Sequence, residues 1–204
     1  MTDKRDHIIE KAIELFASKG FEGTSIRDLA AAADVNVAMI NYYFGSKEKL
    51  FEVLVEKKAA YTRGIMDEIA NDKTLSSIQK IERIIESYVE RLFTNRKFHR
   101  VINQELITNQ RETLTRIIAD ALFPNALTIK TIIEEGIKKN EFKKVDPQLT
   151  IATLLGTINQ VLLSKMFCLR LLNKGPEYVP YDDPEFRKRV VDFLKQLMRD
   201  HLLK

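Results

Sequence analysis

Side chains that could form hydrogen bonds to nucleic-acid bases cluster in one short segment near the start of the chain. Residues 37–43 read Val-Ala-Met-Ile-Asn-Tyr-Tyr. A helix that buries Ile40 leaves Met39, Asn41 and Tyr42 on or near its exposed side, which is an unusual surface for contact with water alone. In the DNA major groove, an asparagine amide can pair with adenine and a methionine can contact a thymine methyl group. The segment therefore predicts a base-contacting helix.

Two short helices are predicted before this segment, and they would position it. Gly20 can adopt the left-handed conformation that ends the first helix, so that Phe21 folds back onto Phe16. Thr24 and Ser25 form an N-cap pair for the second helix. The apolar positions at helical spacing are Ile8, Ile9, Ala12, Ile13, Phe16 and Ala17 in the first helix, and Ile26, Leu29, Ala30 and Ala33 in the second.

Residues 34–36 separate the second and third helices, and this spacing is typical of a helix-turn-helix. Small Ala30 and Ala33 would let the pair cross closely. Helices this short are marginal without packing, so the module needs its own core. The side chains predicted to fill it are Val35, Ile40, Phe44, Phe16 and Leu29.

The rest of the chain is also helical by pattern. Ser46 is predicted to cap a connecting helix over 46–70, and 71–77 is the predicted module boundary. Later helices are predicted over 78–93, 97–108, 112–140 (broken near Pro124), 147–172 and 184–203, with a loop over 174–183. The sequence therefore predicts an all-α protein of about nine helices. A three-helix DNA-binding module with a helix-turn-helix occupies 1–50, and a C-terminal helical bundle for dimerisation and ligand binding occupies 71–204.

Composition also favours helices, and it gives the predicted DNA-binding module no excess of positive charge. The 204 residues are 45% apolar and contain only 7 Gly and 5 Pro, which favours helices. The formal charge is +4, yet residues 1–50 hold seven Lys/Arg and eight Asp/Glu. DNA affinity must therefore come from the placement of the positive groups rather than from bulk charge.

Cellular location is predicted from cysteine usage and hydropathy. The single cysteine, Cys168, cannot form an internal disulfide and suits a reducing compartment as an inert core thiol. The N-terminal residues lack a signal-peptide pattern. The longest apolar stretch, 151–172, is interrupted by Asn159, Gln160 and Lys165, which argues against a membrane span. We expect a cytoplasmic protein with no membrane contact.

The run Gly20–Phe51 resembles the N-terminal module of the tetracycline-repressor-like (TetR) family. Two residues depart from the family pattern. Asp34 stands where a turn glycine is usual, although aspartate tolerates left-handed backbone. Tyr43 replaces a common histidine, but its hydroxyl can still meet a phosphate. The matching marks are Gly20–Phe21, Thr24–Ser25, Asp28–Leu29–Ala30, Ala33, Val35, Tyr42–Tyr43–Phe44, Ser46–Lys47–Glu48 and Leu50.

The resemblance implies DNA-contacting roles for ten residues of this module. The residues that would face bases are Val37, Ala38, Met39, Asn41 and Tyr42, and those that would hold phosphates are Thr24, Ser25, Asn36, Tyr43 and Lys47. Two of the phosphate sites begin helices, whose free N–H groups and dipole attract anions. Thr24 and Ser46 could equally be ordinary caps, Tyr42 could pack on the first helix, and Lys47 could be a solvated charge.

The C-terminal helices are predicted to form a homodimer interface. A helix that is apolar on nearly all faces must be covered on all sides, and a small bundle achieves this with a partner copy. Burial in a single-chain core is the alternative. The residues concerned are Ile151, Leu154, Leu155, Ile158, Val161, Leu162, Met166, Phe167, Leu169, Leu171 and Leu172, then Phe186, Val190, Val191, Phe193, Leu194, Leu197 and Met198.

The resemblance also implies a pocket for a small effector whose chemistry the sequence does not reveal. Candidate pocket residues are polar groups embedded in apolar helices, together with aromatic or flexible walls. Each could instead be an ordinary core or interface residue. They are Tyr88, Phe98, His99, Asn103, Asn159, Gln160 and Met166.

These observations favour a transcription regulator that a small effector releases from a double-stranded operator. One alternative is a DNA-binding protein without small-molecule control, active in chromosome organisation or division. A helical enzyme is the other. It is disfavoured because the sequence lacks HExxH, CxxC, GxSxG and a glycine-rich phosphate loop. Glu134–Glu135 is interpreted as a solvated face. No cofactor and no metal site are expected.

Overall fold

The computed structural model describes residues 4–108, 110–163 and 165–204, without the side chains of 161–163 and 165. The predicted interface positions Val161 and Leu162 thus lie outside the described side chains. The described residues form ten α-helices and one short 3-10 helix at Pro180–Asp182, with no strand. The helices are α1 Lys4–Lys19, α2 Ile26–Ala32, α3 Val37–Phe44, α4 Lys47–Asn71, α5 Ser77–Thr94, α6 Arg96–Thr108, α7 Glu112–Lys138, α8 Pro147–Leu163, α9 Lys165–Leu171 and α10 Pro184–Leu202.

Local signals place the ends of the first helices where the sequence predicts. Gly20 has a φ of 75°, and the rings of Phe16 and Phe21 lie 5.3 Å apart. Ser25 and Asp28 form a capping box at the start of α2, in which each side chain accepts a backbone hydrogen bond. Asp34 has a φ of 51°, so it does adopt the left-handed conformation expected of a glycine substitute.

Helix α7 differs from the sequence prediction because it continues through Pro124. A proline inside a helix removes one backbone donor and usually kinks or ends it. Because α7 is nevertheless continuous at Pro124, the predicted break was wrong. The hydroxyl of Thr128 donates to the carbonyl of Pro124 at 3.3 Å, which adds a bond one turn later.

The chain packs as two compact units, which differ in extent from the predicted modules 1–50 and 71–204. Unit 1 comprises the residues up to Thr62 together with Lys97–Phe123, and unit 2 comprises Arg63–Arg96 and Pro124–Lys204. Both α4 and α7 therefore run from one unit into the other. The sequence predicted a connecting helix only at α4, and α7 is a second one.

The core of unit 1 combines α1–α4 with α6 and the first part of α7. Phe16, Leu29, Ile40 and Phe51 are nearly or fully buried there, as expected for the small helix-turn-helix core. The later segment contributes a further set of buried apolar side chains to the same cluster. These are Phe98, Val101, Ile102, Leu114, Ile118 and Ala121.

The core of unit 2 forms where α5 packs against α10. Ile85, Val89 and Leu194 are fully buried in it. Ion pairs flank this core: the Arg199 guanidinium lies 2.5 Å from a carboxylate oxygen of Glu82. Further pairs join Arg187 to Glu90 and Lys195 to Glu86.

A tight corner follows α7 and ties it to the start of α5. The backbone N–H groups of Glu141 and Phe142 both donate to the carbonyl of Gly136, while Asn140 has a φ of 64°. The Glu141 carboxylate accepts from the N–H of Ser77 at 2.8 Å and so caps α5. A side chain at Gly136 would place its Cβ 2.3 Å from the buried Phe142 ring.

None of the helices in the described part of the chain combines the length and the hydropathy that crossing a bilayer requires.

Candidate DNA-binding surface

Helix α3 packs on α2 through one side and exposes the other. Ile40 and Phe44 are buried in the core of unit 1. Val37, Ala38 and Asn41 are exposed, and the side chain of Tyr42 is 84% exposed. Met39 is half-buried. The structure therefore brings all five predicted base-facing residues onto one short helix, with four of them exposed.

The N-terminus of α3 is closed by its own cap. The Asn36 side-chain oxygen accepts from the Met39 N–H at 2.8 Å. Tyr43 packs partly against the unit 1 core, 5.3 Å from the ring of Tyr42. Asn36 therefore uses its side-chain oxygen within the helix, and its side-chain NH₂ group remains for other contacts. Packing fixes the orientation of Tyr43.

Thr24 does not lie on the surface. Its side chain is fully buried, and its hydroxyl donates to the carbonyl of Gly20 at 2.8 Å. The sequence offered a phosphate contact and a structural cap as alternatives, and this geometry supports the structural role. A buried hydroxyl that is already bonded cannot reach a phosphate without unfolding the loop.

Ser25 is exposed but takes part in the capping box of α2. Its hydroxyl lies 2.5 Å from the Asp28 carboxylate, and the Asp28 N–H donates back to it at 3.1 Å. These hydrogen bonds, first that of the Ser25 hydroxyl and then that of Lys19, hold the pKa of Asp28 far below its usual range. Asp28 is therefore a carboxylate at neutral pH, and Ser25 would meet a phosphate from a preformed, ordered position.

Lys47, at the first position of α4, bonds within the protein. Its ammonium donates to the carbonyls of Phe21 at 2.9 Å and Thr24 at 3.1 Å, and it lies 4.2 Å from the centre of the Phe21 ring. An ammonium has three donors, so one remains for a phosphate. The sequence predicted a phosphate contact for Lys47 but not its bonds to the two loop carbonyls, because contacts between residues more than 20 positions apart leave no local pattern.

Arg27 is a candidate that the sequence argument overlooked. It is exposed on the first turn of α2 and makes no ion pair within the described residues. It lies on the first turn of α2, whose N-cap is Ser25, one of the predicted phosphate contacts. The signal available in the sequence was a basic residue two positions after the cap.

The seven predicted pocket residues are divided between the two units. Phe98, His99 and Asn103 belong to unit 1, where the Asn103 amide donates to the carbonyl of His99 at 2.9 Å. In unit 2, burial raises the pKa of Tyr88 to about 12. Asn159 is half-buried, whereas Gln160 and Met166 are exposed. Each unit by itself therefore holds only part of the predicted set.

Unit 2 contains a groove of about 550 Å³ between the second half of α4 and α5. The predicted pocket residues do not line it. Four carboxylates and one guanidinium border the groove, and two of the carboxylates, Glu86 and Glu90, pair with lysine or arginine on α10. The full lining is Ile65, Glu68, Ile69, Asp72, Leu75, Arg83, Glu86, Ser87 and Glu90.

The predicted dimer surface is partly a single-chain core. Leu194, one of the predicted interface residues, is fully buried against α5. Its neighbour Phe193 is 56% exposed, and Leu149 on α8 is 66% exposed. The hydroxyl of Thr150 lies 3.0 Å from a ring nitrogen of His201, so α8 and α10 meet within the chain. Further predicted positions in the core are Ile151, Leu154, Ile158, Phe186, Val190 and Met198.

Comparison with known proteins gives matches over both halves of the chain. Residues 8–54 match the family described as bacterial regulatory proteins, tetR family, and residues 74–163 match the family described as tetracyclin repressor-like, C-terminal domain. The "Probable HTH-type transcriptional regulator YttP" of Bacillus subtilis is 30% identical over 196 residues, which cover 96% of this chain and 92% of that protein.

Two further relatives resemble the chain in part or in fold. The biofilm operon icaADBC negative transcriptional regulator IcaR of Staphylococcus aureus is 36% identical over 62 residues, which cover 30% of this chain and 33% of IcaR. The crystal structure of the regulator FadR from Bacillus subtilis, in complex with stearoyl-CoA, has a TM-score of 0.74 and 23% identity. The structural match covers 93% of this chain and 96% of the FadR chain.

The helical fold of the described residues and the family matches over both halves place this chain in the class of DNA-binding transcription regulators rather than enzymes. The chain belongs to the TetR family. Both family matches and the similarity to YttP over nearly the whole chain agree with a DNA-binding transcription regulator.

Proposed function

We propose that this regulator binds its operator as a homodimer, with α3 of each copy reading bases in the major groove. The observation that carries this proposal is the exposed face of α3, where Asn41 and Tyr42 project beside Val37 and Ala38. Ser25, Asn36, Tyr43, Lys47 and Arg27 would contact phosphates around it. Phosphate contacts fix position, whereas base contacts supply sequence preference.

Replacing Asn41 by Ala tests the reading role. Asn41→Ala is expected to weaken binding to the operator by about five- to 150-fold, because a bidentate base contact is worth about 1–3 kcal/mol of discrimination. Binding to random duplex DNA is expected to change little. The operator would first be selected from random sequences with the unmodified protein, and affinities would then be measured by fluorescence anisotropy at one fixed salt concentration.

Lys49→Ala provides the control for general charge loss. Lys49 is exposed on α4 and pairs only with Glu52 among the described residues, so its loss should affect both DNAs alike. Equal losses on operator and random DNA for Asn41→Ala would show that α3 is not the reading element.

The proposed dimer forms through the outer faces of α8 and α10. Leu149 and Phe193 expose large apolar side chains there, and Ala152 and Gly156 leave α8 open to close approach. Exposed apolar patches of this kind mark interaction sites. A two-fold axis places the same patch on both copies, which matches the symmetry of a two-half-site operator.

We further propose that a small molecule binds the C-terminal part of the chain and lowers operator affinity. Stearoyl-CoA is the first compound to test, because the B. subtilis FadR structure contains it. If it is an effector, linkage requires operator DNA to weaken its binding by the same factor by which it weakens DNA binding, and couplings of about 1–3 kcal/mol are typical. Calorimetric titration with and without operator measures both affinities.

A library of other metabolites, screened by thermal stabilisation, extends this test if stearoyl-CoA does not bind. Any stabilising compound with equal affinity for free and operator-bound protein would contradict the coupling. Such a result would leave the DNA-reading role of α3 unaffected, since that role is measured without an effector.

A further inference from the structure

Arg111, just before α7, lies against the loop that joins α1 to α2. Its Nε donates to Glu22 at 2.7 Å, and its Nη1 donates to Glu105 at 2.6 Å. Its guanidinium carbon lies 5.6 Å from the centre of the Phe21 ring. One side chain from the α6–α7 junction thus contacts two consecutive residues of the loop and a carboxylate of its own segment.

Lys47 contacts the same ring and the same loop. As described above, its ammonium stacks over Phe21 and donates to the carbonyls of Phe21 and Thr24. The loop segment from Phe21 to Thr24 therefore has one cation from the start of α4 and another from the start of α7. Cations over an aromatic face add attraction to the hydrogen bonds that each one forms.

The two carboxylate partners of Arg111 differ in burial, and the difference indicates which partner fixes the guanidinium and which one the guanidinium orders. The Glu105 side chain is 5% exposed, whereas that of Glu22 is 68% exposed. A buried, charge-assisted pair is ordered and costly to break, while an exposed one is weak. Glu105 therefore fixes the guanidinium, and the fixed guanidinium orders Glu22 and the loop.

We propose that Arg111 is a positioning residue for the DNA-binding surface. It acts through Glu22 and Phe21 and holds the α1–α2 loop in one conformation. That conformation orients the side chains of Lys47, at the start of α4, and of Ser25, at the start of α2. This inference rests on the proposed function, because it treats those two helix starts as phosphate contacts. Arg111 itself contacts other protein groups through both ends of its guanidinium.

The test changes Glu22 rather than Arg111, since Arg111→Ala would leave Glu105 buried without its partner. Glu22→Ala and Glu22→Gln remove the same charge, but glutamine keeps an oxygen that can accept from the Arg111 Nε. A charge effect alone would strengthen DNA binding equally in both variants. Glu22→Ala is instead expected to bind DNA about two- to fivefold more weakly than Glu22→Gln, on the selected operator and on random duplex alike, because phosphate contacts carry no sequence preference.

A second measurement does not involve DNA. Amide hydrogen exchange over residues 20–25 and the first turn of α4 is expected to be faster in Glu22→Ala than in Glu22→Gln, with α5 unchanged in both. Equal DNA affinities and equal exchange in the two variants would overturn the inference, as would a loss confined to the operator, which would assign the effect to base contacts. Failure of the unmodified protein to select any sequence would instead overturn the proposed function, and the exchange measurement would still test the positioning.

Discussion

Phe193→Glu is expected to separate the homodimer into monomers and to weaken operator binding by about 100-fold or more. A charge placed in a self-complementary apolar interface meets its own copy across the two-fold axis and loses its hydration. Two linked half-sites gain about 10²–10⁴ in affinity over one, and monomers lose this gain. Sedimentation velocity measures the oligomeric state, and anisotropy measures the DNA affinity.

Lys188→Glu is the matched control for Phe193→Glu. Lys188 is exposed on the same helix, about 140° around it from Phe193 by helical geometry, and the substitution changes the charge by more. It should leave the dimer intact. A Phe193→Glu protein that remained dimeric would place the interface elsewhere. Leu194→Glu cannot serve this purpose, because a charge at that fully buried position would disrupt the core of unit 2.

Gly136→Ala is expected to lower the free energy of unfolding by about 1–3 kcal/mol, although it adds only a methyl group. The new Cβ would lie 2.3 Å and 2.5 Å from two ring carbons of Phe142, whose side chain is 2% exposed. The ring cannot move away cheaply, since the backbone N–H groups at 141 and 142 are both bonded to the carbonyl of Gly136. Urea unfolding followed by circular dichroism measures the loss.

Gly64→Ala is the control for this substitution. Gly64 lies inside α4, and a Cβ there would meet no atom within 4 Å. Alanine favours a helix over glycine by up to about 1 kcal/mol, so Gly64→Ala should stabilise the protein or leave it unchanged. Equal destabilisation by both substitutions would mean that the contact with Phe142 is not what requires glycine at position 136.

Short-range signals explain why the N-terminal helices could be predicted from the sequence. Gly20, Ser25 and Asp34 each act through the backbone within a few residues of themselves, and each adopts the predicted conformation. The exposed face of α3 followed in the same way, because the helical period separates Ile40 from Asn41 and Tyr42. Caps and periodicity are local properties, and the sequence displays them directly.

Long-range packing explains most of what could not be predicted. Helical spacing places Leu194 near the centre of the apolar stripe of its helix and Phe193 at its edge, but it does not show whether another helix of the chain or a second copy covers that stripe; α5 covers Leu194. Thr24 carries a signal for a cap and for a phosphate contact alike, and its burial depends on the loop fold. The bonds of Arg111 and Lys47 to the α1–α2 loop join residues far apart in the chain.

The predicted pocket illustrates a further limit of sequence reasoning. Polar residues in apolar helices indicate burial, but they do not show that the residues line the same pocket. The seven candidates fall into two units, and those in α6 include one amide that is bonded within its own helix. Continuity of α7 through Pro124 was missed for a related reason, because the penalty for an internal proline can be met by tertiary packing that the local sequence does not show.

The division of unit 1 has a consequence for exchanging operator specificity between regulators of this kind. The first 62 residues do not contain their whole core, because Phe98, Val101, Leu114 and Ile118 complete it from later in the chain. A chimaera joined after α3 or within α4 would pack the DNA-binding helices of another regulator against these four side chains. Residues that do not match them in size or shape would leave voids or clashes in the core. Grafting only the exposed residues of α3 respects the boundary that the packing defines.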